Sequence, residues 1–112
     1  MKLTQMECVP CRGNEPKLSP AEIEQYLPLV EGWQVVTQEE VQRLTRSYKF
    51  KNFAQALAFA NQVGELAENQ DHHPAILVEW GRVTVTWWTY VIGGLHTNDF
   101  ISAAKTDEIF NG

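Results

Sequence analysis

Four stretches of the chain are rich in β-branched and aromatic residues, and the second and fourth of them also show the two-residue period expected of β-strands that bury one face. They cover residues 33–36, 41–50, 76–80 and 83–90. Gln38-Glu39-Glu40 separates the first two stretches, and Gly81-Arg82 separates the last two. Each pair therefore predicts a hairpin of two adjacent antiparallel strands.

Three other stretches carry apolar residues at helical spacing. The first begins with Ser19-Pro20-Ala21-Glu22, a potential capping box with proline at the first helical position, and Pro28 predicts its end near Leu27. The third begins at Thr97 or Asn98, after Gly93-Gly94 interrupts the preceding strand. The second follows the potential cap Asn52 and bears an apolar stripe of Phe53, Ala56, Leu57, Ala60, Val63 and Ala67.

The order of these elements is helix, two strands, helix, two strands, helix. Because a sheet built from such hairpins must bury its apolar face, we predict an α+β fold in which helices pack on one face of a single four-stranded antiparallel sheet. A length of 112 residues suits one domain. We assign residues 19–112 to that domain and interpret residues 1–18 as a flexible N-terminal arm.

Composition narrows the classes of function. Nine Lys and Arg stand against 14 Asp and Glu, which gives a formal net charge of -5, and no stretch concentrates the basic residues. A nucleic-acid partner is therefore not expected. No apolar run reaches the length of a signal peptide or a membrane span, so we expect a cytoplasmic protein without a membrane partner.

Cys8 and Cys11 form a Cys-x-x-Cys pair within the predicted arm. Redox pairs of this spacing usually lie between a strand and the start of a helix, and a structural zinc ion needs two more ligands. The irregular surroundings favour a reduced pair without a direct function over zinc or redox chemistry.

The residues best suited to chemistry lie in the run Glu68-Asn69-Gln70-Asp71-His72-His73-Pro74, where the second helix is expected to end. Imidazole transfers protons near neutral pH, and if the helix continues to residue 72, Glu68 and His72 share a face on which the carboxylate can orient the ring. Three interpretations stay open: a metal site of Glu68, His72 and His73, a polar helix terminus, and a proton-transfer site. Adjacent histidines rarely converge on one ion, which disfavours the metal site.

This run, with Trp80, Val83-Thr84-Val85-Thr86, Gly93-Gly94-Leu95 and Asp99, resembles the signature of the pterin-4a-carbinolamine dehydratases. The similarity continues through Gly32-Trp33 and residues 48–53 and covers about residues 19–110. It implies an α+β fold with one antiparallel sheet, a homodimer or homotetramer, and no metal or cofactor. The implied reaction removes water from 4a-hydroxytetrahydropterin to give quinonoid dihydropterin, a step of tetrahydrobiopterin recycling.

The resemblance also assigns residues to a site. Glu68, His72, His73 and Asp99 match the family's active-site acids and histidines, and the pterin-contacting segments match Asp71, His72, His73, Trp88, Thr89, Tyr90 and Val91. We assign His72 as the principal general acid and base, His73 as the residue that binds the pterin and shuttles protons, and Glu68 as the residue that orients a histidine.

Tyr90 departs from the family pattern, which usually has a third histidine at the end of the last strand. A phenol can donate a hydrogen bond or a proton but is a poor base at neutral pH, so we expect a functional but slower enzyme. His96 is expected to cap the last helix rather than replace that histidine. Among the tryptophans, Trp88 is the expected stacking partner of the pterin, whereas Trp33, Trp80 and Trp87 are expected in the core or an interface.

A second class of function stays open. A dehydratase-like domain can lose catalysis and serve as an assembly or dimerisation factor, and a missing histidine is what an early loss of activity would look like. Exposed aromatic residues on an edge strand would suit that role.

Overall fold

The computed structural model describes residues 2–112. Three α-helices and four strands follow one another in the predicted order, and three short 3-10 turns lie between them or before them. The helices are α1 (Pro20–Tyr26), α2 (Phe53–Gln70) and α3 (Thr97–Asn111), the strands are β1 (Gln34–Gln38), β2 (Val41–Lys49), β3 (Ala75–Glu79) and β4 (Arg82–Trp87), and the 3-10 turns are Leu3–Gln5, Leu27–Leu29 and Tyr90–Ile92. The predicted α+β class is confirmed.

The strands form one antiparallel sheet in the order β1-β2-β4-β3, with the helices on one side. The pairs Leu44–Trp87 and Tyr48–Val83 lie opposite each other on neighbouring central strands, and all four side chains are buried against the helices. On the open face the hydroxyls of Thr45 and Thr86 are 2.9 Å apart. The apolar face of the sheet therefore supports the helices and the candidate functional site.

Both hairpin turns consist of two residues. Glu39 and Glu40 make the first turn with positive φ angles of 52° and 66°, the conformation that matches the twist of adjacent strands. Because Glu79 pairs with Arg82, the second turn is Trp80-Gly81, one residue earlier than predicted.

Strand β4 ends three residues before the predicted end at Tyr90. The amide of Thr89 donates to the carbonyl of Gly94 at 2.9 Å, and this bond closes a small loop that removes Tyr90 from the sheet. Tyr90 instead begins the 3-10 turn Tyr90–Ile92, which ends at Gly93 with φ of 67°.

The predicted helix starts are confirmed. Ser19 and Glu22 form the capping box of α1, and Asn52 Oδ1 accepts from the amide of Gln55 at 2.8 Å to cap α2. The predicted stripe of α2 is wrong at Phe53 and Leu57, whose exposed fractions are 46% and 43%.

The reason for this error is the angular position of the buried face of α2. At roughly 100° per residue, Phe53 and Leu57 lie about 60° and 100° to one side of Ala56. The buried face extends to the other side instead, where Phe59 contacts the aromatic rings of Tyr48 and Phe50.

The segment interpreted as a flexible arm lies on the domain. Leu3 is only 7% exposed and belongs to the core, and the 3-10 turn that contains it packs against α3. Further along, the amide of Val9 donates to Asn98 Oδ1 at 3.0 Å. The division at residue 18 stays a prediction, whereas the backbone before it follows the surface of α3 in this structure.

One carboxylate joins the sheet to the last helix. Asp107 on α3 accepts hydrogen bonds from Trp33 Nε1 at 3.0 Å, Arg46 Nη1 at 2.7 Å and the hydroxyl of Tyr48 at 2.5 Å. Burial and the neighbouring Asp107 both raise the pKa of Tyr48, so the phenol remains a donor.

None of the helices within residues 2–112 has the length and apolar character needed to cross a bilayer.

Replacing Asp107 should test how much this junction stabilises the fold. Asp107→Ala leaves the Tyr48 hydroxyl and the Trp33 indole N–H without their acceptor, and we expect the free energy of unfolding to fall by about 2 to 4 kcal/mol. Urea titration followed by tryptophan fluorescence measures the change. The matched variant Glu108→Ala, on an exposed position of the same helix, should change it by about 0.5 kcal/mol or less. Equal effects of the two variants would show that the hydrogen bonds of Asp107 contribute no more to the free energy of unfolding than an exposed side chain of the same helix does.

Candidate functional site

The end of α2 determines where the two adjacent histidines go. Asp71 follows the helix with φ of 52° and ψ of 41°, and the amide of His72 donates to the carbonyl of Ala67 at 3.2 Å. The amide of Asp71 reaches the carbonyl of Glu68 at 3.4 Å, which completes the helix-ending motif with a left-handed residue. The helix therefore does not continue to residue 72.

This ending corrects the predicted pairing of Glu68 with His72. Because the chain reverses at Asp71, His72 leaves the helix face that carries Glu68. Glu68 Oε2 instead lies 2.5 Å from His73 Nε2. The carboxylate does contact a histidine, as expected, but it is the second of the two.

His72 is held from two directions. Its Nε2 lies 2.6 Å from Asp99 Oδ1, and its ring stacks on the indole of Trp87 with a centroid distance of 5.5 Å and an interplanar angle of 22°. Only 12% of the His72 side chain is exposed. A carboxylate accepts hydrogen bonds, so this contact assigns the proton to Nε2 and leaves Nδ1 as the other exchangeable position of the ring.

Asp99 is a completely buried carboxylate at the start of α3. Its Oδ2 accepts from the hydroxyl of Thr89 at 2.9 Å and from the amide of His96 at 3.0 Å, while Oδ1 faces His72. It therefore acts both as the first-turn carboxylate of the helix and as the group that fixes His72. Nδ1 of His96 accepts from the amide of Asn98 at 3.1 Å, so the predicted capping role of His96 is confirmed.

The pair of His73 and Glu68 has a different environment. Their side chains are 55% and 79% exposed, so water screens the attraction between them. The site thus offers one histidine fixed by a buried carboxylate and one that contacts an exposed carboxylate at the surface.

A cavity of about 290 Å³ lies beside the two histidines. This volume is close to the lower end of the range for small-molecule pockets. Every residue predicted to contact the pterin lines it: Asp71, His72, His73, Trp88, Thr89, Tyr90 and Val91. Glu68 and Asp99 do not line the cavity but contact His73 and His72, respectively.

The aromatic side chains at and around the cavity differ in their exposure to solvent. Tyr90 is 84% exposed at the cavity, and the Trp88 ring carries the guanidinium of Arg43 at 4.2 Å from its centroid. Trp33 and Trp87 are buried, as predicted, whereas Trp80 is 71% exposed on the second hairpin turn.

Sequence reasoning did not find part of the cavity wall. Val9, Pro10 and Cys11 line it together with Asn98. The contact between Val9 and Asn98 spans about 90 residues of sequence. Cys11 belongs to the Cys-x-x-Cys pair, but that motif does not indicate a place at the cavity, and no motif marks Val9, Pro10 or Asn98. The Pro and Gly content of the segment indicates irregular backbone, but it does not indicate the surface against which that backbone packs.

The two cysteines are free thiols in the structure. Cys8 Sγ lies 3.4 Å from the hydroxyl of Ser102, and Cys11 lies at the cavity. Burial raises the pKa of both thiols. Across residues 2–112, no three side chains of His, Cys, Asp or Glu form a cluster that could hold a metal ion.

Comparison with known proteins places the site in context. The family profile described as pterin 4 alpha carbinolamine dehydratase matches residues 16–109. A Nitrosococcus oceani protein provisionally named a pterin-4-alpha-carbinolamine dehydratase is 53% identical over 107 residues, which cover 96% of this chain and 95% of that protein.

Two solved structures are similar. The crystal structure of a transcriptional coactivator/pterin dehydratase from Brucella melitensis has a TM-score of 0.74 at 34% identity, covering 83% of this chain and 97% of that one. A pterin dehydratase-like protein described as a RuBisCO assembly factor in the alpha-carboxysome has a TM-score of 0.59 at 21% identity, covering 70% and 89%. The second likeness concerns the fold alone.

Asp99→Asn should change the tautomer of His72. The carbonyl oxygen of the new amide is needed by Thr89 and His96, so its NH2 group would face His72 Nε2, which must then accept and move the ring proton to Nδ1. Long-range 1H–15N correlation spectra of the imidazoles report this change directly. Glu68→Gln is the matched control, because it alters the partner of His73 alone and should leave the His72 signals in place. Unchanged His72 signals in Asp99→Asn would contradict the assigned contact.

Proposed function

The chain belongs to the pterin-4a-carbinolamine dehydratase family, and from this premise we propose that it removes water from 4a-hydroxytetrahydropterins to give quinonoid dihydropterin. Reduction of this quinonoid dihydropterin in a separate step returns tetrahydrobiopterin, so the dehydration is part of tetrahydrobiopterin recycling, and we expect it to occur in the cytoplasm. The observation that carries the proposal is the fixed His72 imidazole at the edge of a cavity that all the predicted pterin-contacting residues line.

The chemistry requires an acid and a base in one small pocket. Hydroxide is a poor leaving group, so the 4a-oxygen takes a proton as the C4a–O bond breaks. The lone pair of N5 forms the new C=N bond, and a ring proton leaves to give the neutral product. A histidine that donates one proton and receives another can serve both steps near neutral pH.

His72 suits the role of principal acid and base. Asp99 at 2.6 Å and the Trp87 ring hold the imidazole, so little rotational freedom is lost when substrate binds. With Nε2 held by the carboxylate, Nδ1 is the atom assigned to proton exchange. Asp99 would stabilise the imidazolium while His72 carries the second proton.

His73 suits binding and proton shuttling. Its ring lies at the cavity and is 55% exposed, so it can exchange protons with water, and Glu68 orients it at 2.5 Å. Thr89 also lines the cavity, but its hydroxyl already donates to Asp99 at 2.9 Å. The hydroxyl oxygen of Thr89 can therefore accept a hydrogen bond from the pterin but cannot donate one to it.

Assembly into a homodimer or homotetramer is part of the proposal. Leu77 on the edge strand β3 is 58% exposed, and Trp80 in the hairpin turn that follows this strand is 71% exposed, so apolar surface on this edge strand and its turn is available to a second copy. The same edge is the observation that favours the second candidate function, an assembly or dimerisation factor without catalysis. Sedimentation equilibrium gives the number of copies, and the activity of the unmodified protein separates the two functions.

His72→Gln tests the catalytic assignment. Gln can still donate a hydrogen bond to Asp99 but cannot take up or release a proton, so kcat should fall on the order of 10²- to 10⁴-fold while the fold is retained. The assay follows the decay of carbinolamine that a pterin-dependent hydroxylase generates. Glu65→Gln, an exposed position on α2, is the control and should keep full activity. Loss of less than about threefold in His72→Gln would reject His72 as the main acid and base.

Tyr90→His should raise kcat, because it restores the imidazole that the family usually has at this position. The gain can reach about 10²-fold if that histidine carries one proton transfer, and it will be small if the phenol already acts as the acid. Tyr90→Phe separates these cases, since it keeps the ring and removes only the hydroxyl. A Tyr90→His variant with an unchanged or lower kcat would refute the view that Tyr90 slows the enzyme.

A further inference from the structure

The N-terminal segment supplies a wall of the cavity that the family signature does not contain. We call residues 8–13 the strap. We propose that the strap is a wall of the pterin pocket, held in place by Asn98 as a positioning residue, and that it contributes to substrate affinity rather than to proton transfer. This inference rests on the proposed function, because it concerns the same cavity.

Asn98 fastens the strap to α3 through both ends of its amide. Its Oδ1 accepts from the amide of Val9 at 3.0 Å, and its Nδ2 donates to the carbonyl of Val9 at 2.7 Å. Asn98 is only 3% exposed, so these bonds are shielded from water. The amide thus pairs with Val9 as a neighbouring strand would, and it fixes the backbone next to the cavity.

The strap is bonded to the end of α2 before Val9 and lies next to the loop after β4 beyond it. Before it, the amide of Cys8 donates to Gln70 Oε1 at 2.9 Å, at the end of α2. Beyond it, Gly13 has φ of 97° and its Cα lies so close to the loop after β4 that an added Cβ would be 3.4 Å from the carbonyl oxygen of Val91. The strap therefore crosses from the helices to the loop that carries Tyr90.

The groups that the strap presents to the cavity are poor at proton transfer. Val9 and Pro10 have no titratable side chain, and burial raises the pKa of the Cys11 thiol, which keeps it protonated. Such a wall can exclude water and contact the less polar edge of a bicyclic ring. We therefore expect a change in the strap to move KM and leave kcat nearly constant.

Asn98→Leu provides the kinetic test. Leu has a similar size but cannot bond to Val9, so KM for the carbinolamine should rise about fivefold or more while kcat stays within about twofold. The matched control is Lys105→Ala on the same helix, which removes the 3.4 Å contact with Glu7 and leaves Asn98 intact. It should change neither constant. A parallel fall in kcat, or an unchanged KM, would overturn the proposal.

A second measurement uses the unmodified protein, so it does not depend on whether a variant folds. In a mildly alkaline buffer, iodoacetamide labels the thiols of the unmodified protein, and mass spectrometry reads each cysteine separately. With 7,8-dihydrobiopterin present, labelling of Cys11 should slow several-fold. Cys8, which lies against Ser102 and does not line the cavity, is the internal reference and should be labelled at the same rate.

The outcomes separate this inference from the proposed function. If the unmodified protein has no dehydratase activity, the proposed function fails, whatever the strap does. If the protein is active but dihydrobiopterin slows the labelling of neither cysteine, or of both equally, the strap is not a wall of the pocket.

Discussion

The site depends on the burial of one carboxylate. Asp99 has no exposed surface, and a charge in that position requires several donors to replace its water shell. The hydroxyl of Thr89, the amide of His96 and the ring of His72 supply them. These donors come from three separate parts of the chain, so satisfying one group brings together the loop after β4, the start of α3 and the end of α2.

The same side chains serve the core and the site. Trp87 is completely buried opposite Leu44 in the sheet, and its indole stacks on the ring of His72. A rotation of His72 away from the cavity would uncover that indole and break the contact with Asp99. Packing therefore holds the imidazole in one orientation, which is the preorganisation that the proposed proton transfer requires.

Much of the fold could be predicted because its signals are local. The capping box at Ser19, the cap at Asn52 and the alternation in the strands each depend on residues within a few positions of one another. The pairing of Glu68 could not be predicted in this way. Asp71, a residue that adopts left-handed φ less readily than glycine, ends α2 after Gln70, and the sequence pattern gave no sign of that reversal.

The cavity could be predicted only on the side that the family signature covers. The residues from 71 to 73 and from 88 to 91 carry that signature, whereas Val9, Pro10 and Cys11 reach the cavity through the two bonds between Val9 and Asn98. The amide of Asn98 and the backbone of Val9 are 89 positions apart, and a pairing of this kind has no characteristic spacing in a sequence. Contacts of this kind are determined by the shape of the assembled domain.

The two adjacent histidines differ in environment more than in chemistry, and the difference follows from the turn at Asp71. Reversal of the chain sends His72 inward to a buried carboxylate and leaves His73 at the surface with the exposed Glu68. The contact between Asp99 and His72 is shielded from water, whereas solvent screens the attraction between Glu68 and His73. One left-handed residue thus places one imidazole against a buried carboxylate and the other at the exposed rim of the cavity, which are the places that the proposed acid-base and proton-shuttling roles require.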